Sequence, residues 1–92
     1  MSRAGKPWSW VVATTDYAGR PSELRLLDGQ GRHRASVWPG SHTATWHTYD
    51  ERGTGGENDS TTGANAADEA KRHAVASIVR QGWAPGGWRV AW

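Results

Sequence analysis

The segment NAADEAKRHAVASIVRQGWAP (residues 65–85) decides how the rest of the chain must be arranged. At about 100° per residue, Ala66, Ala67, Ala70, Ala74, Val75 and Ile78 fall on one half of a helical cylinder. Glu69, Arg72, His73, Ala76 and Arg80 fall on the other half. Asn65 or Thr62 is placed to cap the start, and Asp68 and Glu69 lie where the positive end of the helix dipole favours carboxylates. Arg80 sits in the last turn, Gly82 is placed for a left-handed residue just past it, Trp83 is placed to pack back, and Pro85 prevents resumption. The spacing predicts a helix over residues 65–81. Its apolar stripe is mostly alanine, so the axis lies close to what it covers, and the covered surface must supply the bulk.

Downstream, GWRVAW (87–92) alternates Trp88, Val90 and Trp92 with Arg89 and Ala91, the period of a short strand returning after the helix. Upstream, four segments have strand composition: WSWVVATT (8–15), SELRLL (22–27), RHRASVW (32–38) and HTATWHTYD (42–50). They are separated by DYAGRP (16–21), by DGQG (28–31) with its Asp-Gly hairpin signal, and by Pro39-Gly40. Tight turns between successive strands imply an antiparallel meander. Trp8, Trp10, Val12, Leu24, Leu26, Ala35, Val37, Ala44, Trp46, Trp88, Val90 and Trp92 then share one face. The expected fold is a two-layer α+β domain, an antiparallel sheet of four or five strands with one helix on its aromatic face. A helix is roughly 10–12 Å across, whereas five strands at ~4.8 Å spacing span ~19 Å. Some tryptophans must therefore lie at the helix margin, be shielded by loops, or meet a second subunit.

Residues 51–64, ERGTGGENDSTTGA, carry four glycines and no apolar periodicity, and are expected to form a mobile surface loop or one ordered by a partner. The stretch lacks the Lys-Ser/Thr of a phosphate-binding loop, and Asp50, Glu51, Glu57 and Asp59 would repel phosphate. It also lacks the Asp-x-Asp-x-Asp-Gly order of a calcium loop.

The 92 residues suffice for a single domain with a modest core. Seven tryptophans and two tyrosines, with no phenylalanine, carry much of the apolar area, since each buried aromatic removes roughly 150–250 Å² from water. There is no cysteine, which excludes disulfides, Cys-ligated zinc and thiol chemistry. No apolar run approaches the ~20 residues of a membrane span, and MSRAGKPWSW lacks the apolar stretch of a signal peptide, so a cytoplasmic location is expected. The net charge of +2 is uneven: +3 over residues 1–49, −5 over 50–69 and +4 over the remainder.

The other sheet face is expected to carry Arg25, Leu27, Arg34, Ser36, Trp38, Thr43, Thr45, His47, Tyr49 and Arg89. Basic groups interleaved with aromatics resemble a single-strand nucleic-acid platform, although the wet face of an antiparallel sheet has the same composition. Among the histidines, His42 and His47 point to opposite faces of a strand and make no metal pair, and His73 lies on the polar side of the helix. Nothing fixes a nucleophile or an oxyanion hole, so no catalytic, cofactor or metal residue is assigned.

WHTYDERGTGGEN…ANAADEAKRHAVASIVRQGW, roughly residues 46–83, resembles small Trp-rich proteins of unknown function from actinobacteria and their phages. In these a Trp-x-x-Tyr-Asp strand, a Gly-rich turn and an Ala-rich helix follow in order. The resemblance implies a phage or actinobacterial setting and a host or viral protein as partner; it carries over no catalytic residue. The expected function is a non-enzymatic protein-interaction module, homodimeric or bound to another protein. Trp38, Tyr49 and Trp92 are its candidate interface residues and 51–64 an accessory contact. The alternative is single-stranded nucleic-acid binding through Arg25, Arg34, Trp38, His47, Tyr49 and Arg89.

Overall fold

The computed structural model describes residues 6–92. Strands β1 (Trp8–Thr15), β2 (Pro21–Leu27), β3 (His33–Pro39), β4 (Thr43–Tyr49) and β5 (Gly55–Thr62) form an antiparallel meander; helix α1 (Ala66–Arg80) and a short strand β6 (Val90–Ala91) follow. The sheet order is β5-β4-β3-β2-β1-β6, and β6 runs parallel to β1. This is an α+β fold, one sheet with one helix against it. The sheet has six strands where four or five were expected, because residues 55–62 are not a loop but an edge strand paired with β4 from Thr43 to Tyr49. The final strand is shorter than the 87–92 expected.

Three of the four meander turns repeat one design. In Asp16-Tyr17-Ala18-Gly19-Arg20, the Asp16 carboxylate accepts the amides of Ala18 and Arg20, and the Gly19 amide donates to the Asp16 carbonyl. Asp28 through Arg32 and Asp50 through Thr54 repeat every bond of the pattern. Each Asp-x-x-Gly turn places its glycine in the left-handed region, at φ 81° for Gly19, 81° for Gly31 and 85° for Gly53. A side chain there is disfavoured, so the fourth position is glycine in all three. In the second turn the positive φ falls on Gly31 and not on the Gly29 of the Asp-Gly pair.

The inward face follows the expected alternation: Leu26, Ala35, Val37, Ala44 and Trp46 are buried against Ala66, Ala70, Ala74 and Ile78. Asn65 flanks the helix start without a side-chain capping bond. The helix ends as its sequence requires, with Gly82 at φ 76°. The amides of Trp83 and Gly82 return to the carbonyls of Ile78 and Val79, the two bonds of a Schellman motif.

The helix does not lie over the middle of the sheet. The three residues between β5 and α1 keep it near the β5 edge, and among the described residues its backbone lies close to β3, β4 and β5 alone. At that end Gly56 permits the approach: a Cβ on it would fall 2.7 Å from both Thr48 Oγ1 and the Trp83 ring. Six strands at ~4.8 Å span ~24 Å, so a helix of roughly 10–12 Å cannot fully cover β1 and β2 as well. The chain must then cross beneath the sheet, through Gly82–Arg89, to place β6 outside β1. That crossing makes β6 parallel to β1 and closes one end of the domain.

Candidate interaction site

Three surfaces result from this arrangement. The first is the part of the inward face that the helix covers least, toward the ends of β1, β2 and β6, beyond the buried Trp8 and Leu26. Trp10 and Leu24 are half-buried there, while Val12 and Trp92 are 52% and 62% exposed. The Trp92 ring stacks on Trp10 with centroids 6.5 Å apart, and the Lys71 ammonium reaches across from the helix to 6.0 Å from the Trp10 ring. The strand that borders this surface is open along its outer side. β6 pairs only with Trp8 and Ser9, so residues 10–15 of β1 have no neighbour there among the described residues. WSWVVATT holds no charged residue and no proline to blunt that edge.

The second surface is the outward sheet face. At its lower end the Tyr49 ring packs on two imidazoles, 4.7 Å from His47 and 4.5 Å from His33. The Ser36 hydroxyl donates to Glu23 at 3.0 Å and is hydrogen-bonded to His33 Nε2, 2.6 Å away. Desolvation, aided by the charge of Arg25, holds the His33 imidazole below its ordinary pKa of 6.5. Hydrogen bonds from Arg25 hold the Glu23 carboxyl low against the opposing effect of burial, with further help from Ser36.

The third is an open cleft of about 720 Å³ at the end where the chain crosses, between the 28–32 and 50–54 turns, Lys6 and residues 82–88. The rings of Trp8 and Trp88 meet edge to face at 4.7 Å, with Trp83 beside them. The Arg34 guanidinium lies 4.6 Å from the centre of the Trp8 ring. Its Nη1 reaches Asp28 Oδ2 at 3.3 Å and its Nε donates to the Tyr49 carbonyl at 3.1 Å. Burial pushes the Asp28 carboxyl up, but the backbone and side-chain bonds from Arg32, the Gln30 amide and the Arg32 charge outweigh it, so its pKa is lowered.

The three interface candidates do not form one surface. Trp38 stands on the outward face, 38% exposed, toward the far end from Tyr49. Tyr49 is half-buried against His47 and His33, and Trp92 lies on the opposite, helix side. The nucleic-acid set is divided as well. Arg34 is not on the outward face: Leu26 pairs with Ala35 and Leu27 with His33, which makes Arg34 the extra residue of a bulge and turns it into the end of the core. Arg25 is engaged by Glu23 at 2.8 Å, and Arg89 is exposed on the crossing segment. His47 and Tyr49 remain together. The sequence reading missed Leu24, Val12 and Trp10 as a bare surface, and Trp8, Trp83, Trp88 and Arg34 as a cleft. The first was foreshadowed by helix width, whereas the cleft depends on the path of the crossing segment.

Among the described residues no three His, Asp or Glu side chains come together as a metal ligand set, and no helix is long and apolar enough to cross a membrane. No family model matches the chain, and comparison with curated proteins and with solved structures finds no significant relative.

Proposed function

We propose that the chain is a non-enzymatic protein-interaction module that receives its partner along β1, as an added strand whose side chains continue onto the bare half-face. The observation that supports this reading is the coincidence of two features on one strand: a backbone edge over residues 10–15 with no partner among the described residues, and an apolar flank of Trp10, Val12, Leu24 and Trp92. Main-chain hydrogen bonds supply affinity in such strand addition, and the flanking side chains supply selectivity. A second copy of the chain is the simplest partner, because an uncharged strand meets itself without repulsion. The resemblance to Trp-rich phage and actinobacterial proteins makes a host or viral protein the other one.

The test is amide exchange on β1 combined with sedimentation. Complex formation slows exchange of the outward amides of residues 10–15, and Val12→Lys abolishes both the protection and the association while leaving the fold intact. A chain that stays monomeric, and whose β1 edge gains no protection when mixed with captured partners, overturns the reading.

A further inference from the structure

The end cleft combines a buried cation with an aromatic floor, and neither is used by an interaction along β1. The Arg34 side chain is only 5% exposed. Its Nε and Nη1 are taken by the Tyr49 carbonyl and by Asp28; its Nη2 has no hydrogen-bond partner among the described residues. Asp28 is itself shared. Its Oδ1 accepts the Gln30 and Arg32 amides, and its Oδ2 accepts both Arg32 Nε at 2.8 Å and Arg34 Nη1 at 3.3 Å. One carboxylate therefore serves two guanidiniums. The remaining acid near Arg32 is Glu51, 3.8 Å away and largely exposed, a contact weakened by solvent.

Lys6, Arg32, Arg34 and Arg52 line the cleft against Asp28, Asp50 and Glu51, and this excess of one positive charge favours an anion. A carboxylate has two oxygens for two donors, which Arg34 Nη2 and the Arg32 guanidinium supply between them. The size of the surplus limits the anion further. Asp50 and Glu51 stand at the same mouth as Lys6 and Arg52, so a doubly charged phosphate meets repulsion that a monoanion largely escapes. The walls limit the rest of the ligand: Trp83 and Trp88 offer flat apolar surface, and a cleft of about 720 Å³ lies within the range of small-molecule sites. We infer that the end cleft is a binding site for a small organic monocarboxylate with a flat, apolar body, its carboxylate held by Arg34 and Arg32 and its body against Trp83 and Trp88.

Benzoate is the probe, with benzamide as its neutral counterpart of the same shape and inorganic phosphate as the dianion. The full chain is titrated with each, reading tryptophan emission and the indole N–H resonances of Trp83 and Trp88. Benzoate is expected to saturate with a Kd on the order of 1 mM, with benzamide and phosphate at least ~10-fold weaker. Because Arg34 is buried and its replacement endangers the fold, the decisive variants are on exposed groups. Arg32→Gln leaves Asp28 to neutralise Arg34 alone and weakens benzoate about 10-fold, whereas Glu51→Gln strengthens it about 2-fold. Equal affinity for benzamide, an unchanged benzoate affinity in Arg32→Gln, or no saturable response overturns the inference.

Discussion

The two edges of the sheet are opposite solutions to the same problem. β5 reads GGENDSTT, is exposed along nearly its whole length and carries Glu57 and Asp59. β1 reads WSWVVATT and carries no charge at all. A free edge invites pairing with another chain, and charged or glycine-rich edges discourage it. β5 is also held from behind by polar bonds: Glu57 accepts from Ser77 and Arg80 on the helix, and Thr61 donates to the Ala66 carbonyl. Thr48 completes the seam by accepting the Glu57 amide. Among the described residues the helix reaches β1 through Lys71 over Trp10, and only two residues of β6 pair beside it. An edge that must stay free is made polar and tied down; the other is left apolar and open, which is why the proposed contact falls there.

The comparison breaks most visibly in the core. Ile78 is fully buried where the helix meets the sheet, so Ile78→Ala is expected to lower stability by about 2–5 kcal/mol in urea unfolding. Val12→Ala on the bare half is expected to change it by less than about 0.5 kcal/mol, as for other exposed positions. Equal losses would mean that the β1 half is as well packed as the helix half.

The Asp50 turn carries the next effect. Gly53→Ala forces a Cβ into a φ of 85°, at an expected loss of about 1–2 kcal/mol. Gly19→Ala strains the β1–β2 turn by a similar amount, at a φ of 81°. Amide exchange distinguishes them: Gly53→Ala loosens β5 and the start of the helix that follows it, whereas Gly19→Ala loosens β1 and leaves the helix protected. Helix opening in both variants would show that the two halves melt as one unit.

These turns also explain what was legible in the sequence. The inward set from Leu26 to Trp46 follows period-two alternation, and the helix with its Gly82 terminus follows period 3.6, so both are readable without coordinates. β5 is silent to the same test because its inward positions, Glu57, Asp59 and Thr61, are polar, and at Glu57 and Thr61 the bonds go to the helix. Its signal lay in the repeated Asp-x-x-Gly, since Asp50 and Gly53 match Asp16 and Gly19, and Asp28 and Gly31. Arg34 was misplaced because alternation cannot register a bulge, and one extra residue moves a side chain to another face. The cleft was unreadable for a different reason: its walls come from four separate segments that only the crossing chain brings together.

The smallest effect expected is one of pH, and it sharpens the contrast between the edges. The folded His33 pKa lies below the ordinary value of 6.5, because burial and Arg25 disfavour the imidazolium. The unfolded chain therefore binds the proton more readily than the folded one. Stability is full above about pH 6.5 and declines as pH falls from there through the folded pKa. The ring belongs to the stack with Tyr49, whose backbone partner is Gly55 of β5, so the loosening is expected at the β4–β5 seam. Protection of β5 amides, taken relative to the intrinsic exchange rate at each pH, should fall on acidification while that of β1 amides does not change, and His33→Gln should flatten the dependence. A response shared by β1 would mean that the open edge draws its order from the same outward-face contacts, and that the two edges are not independent.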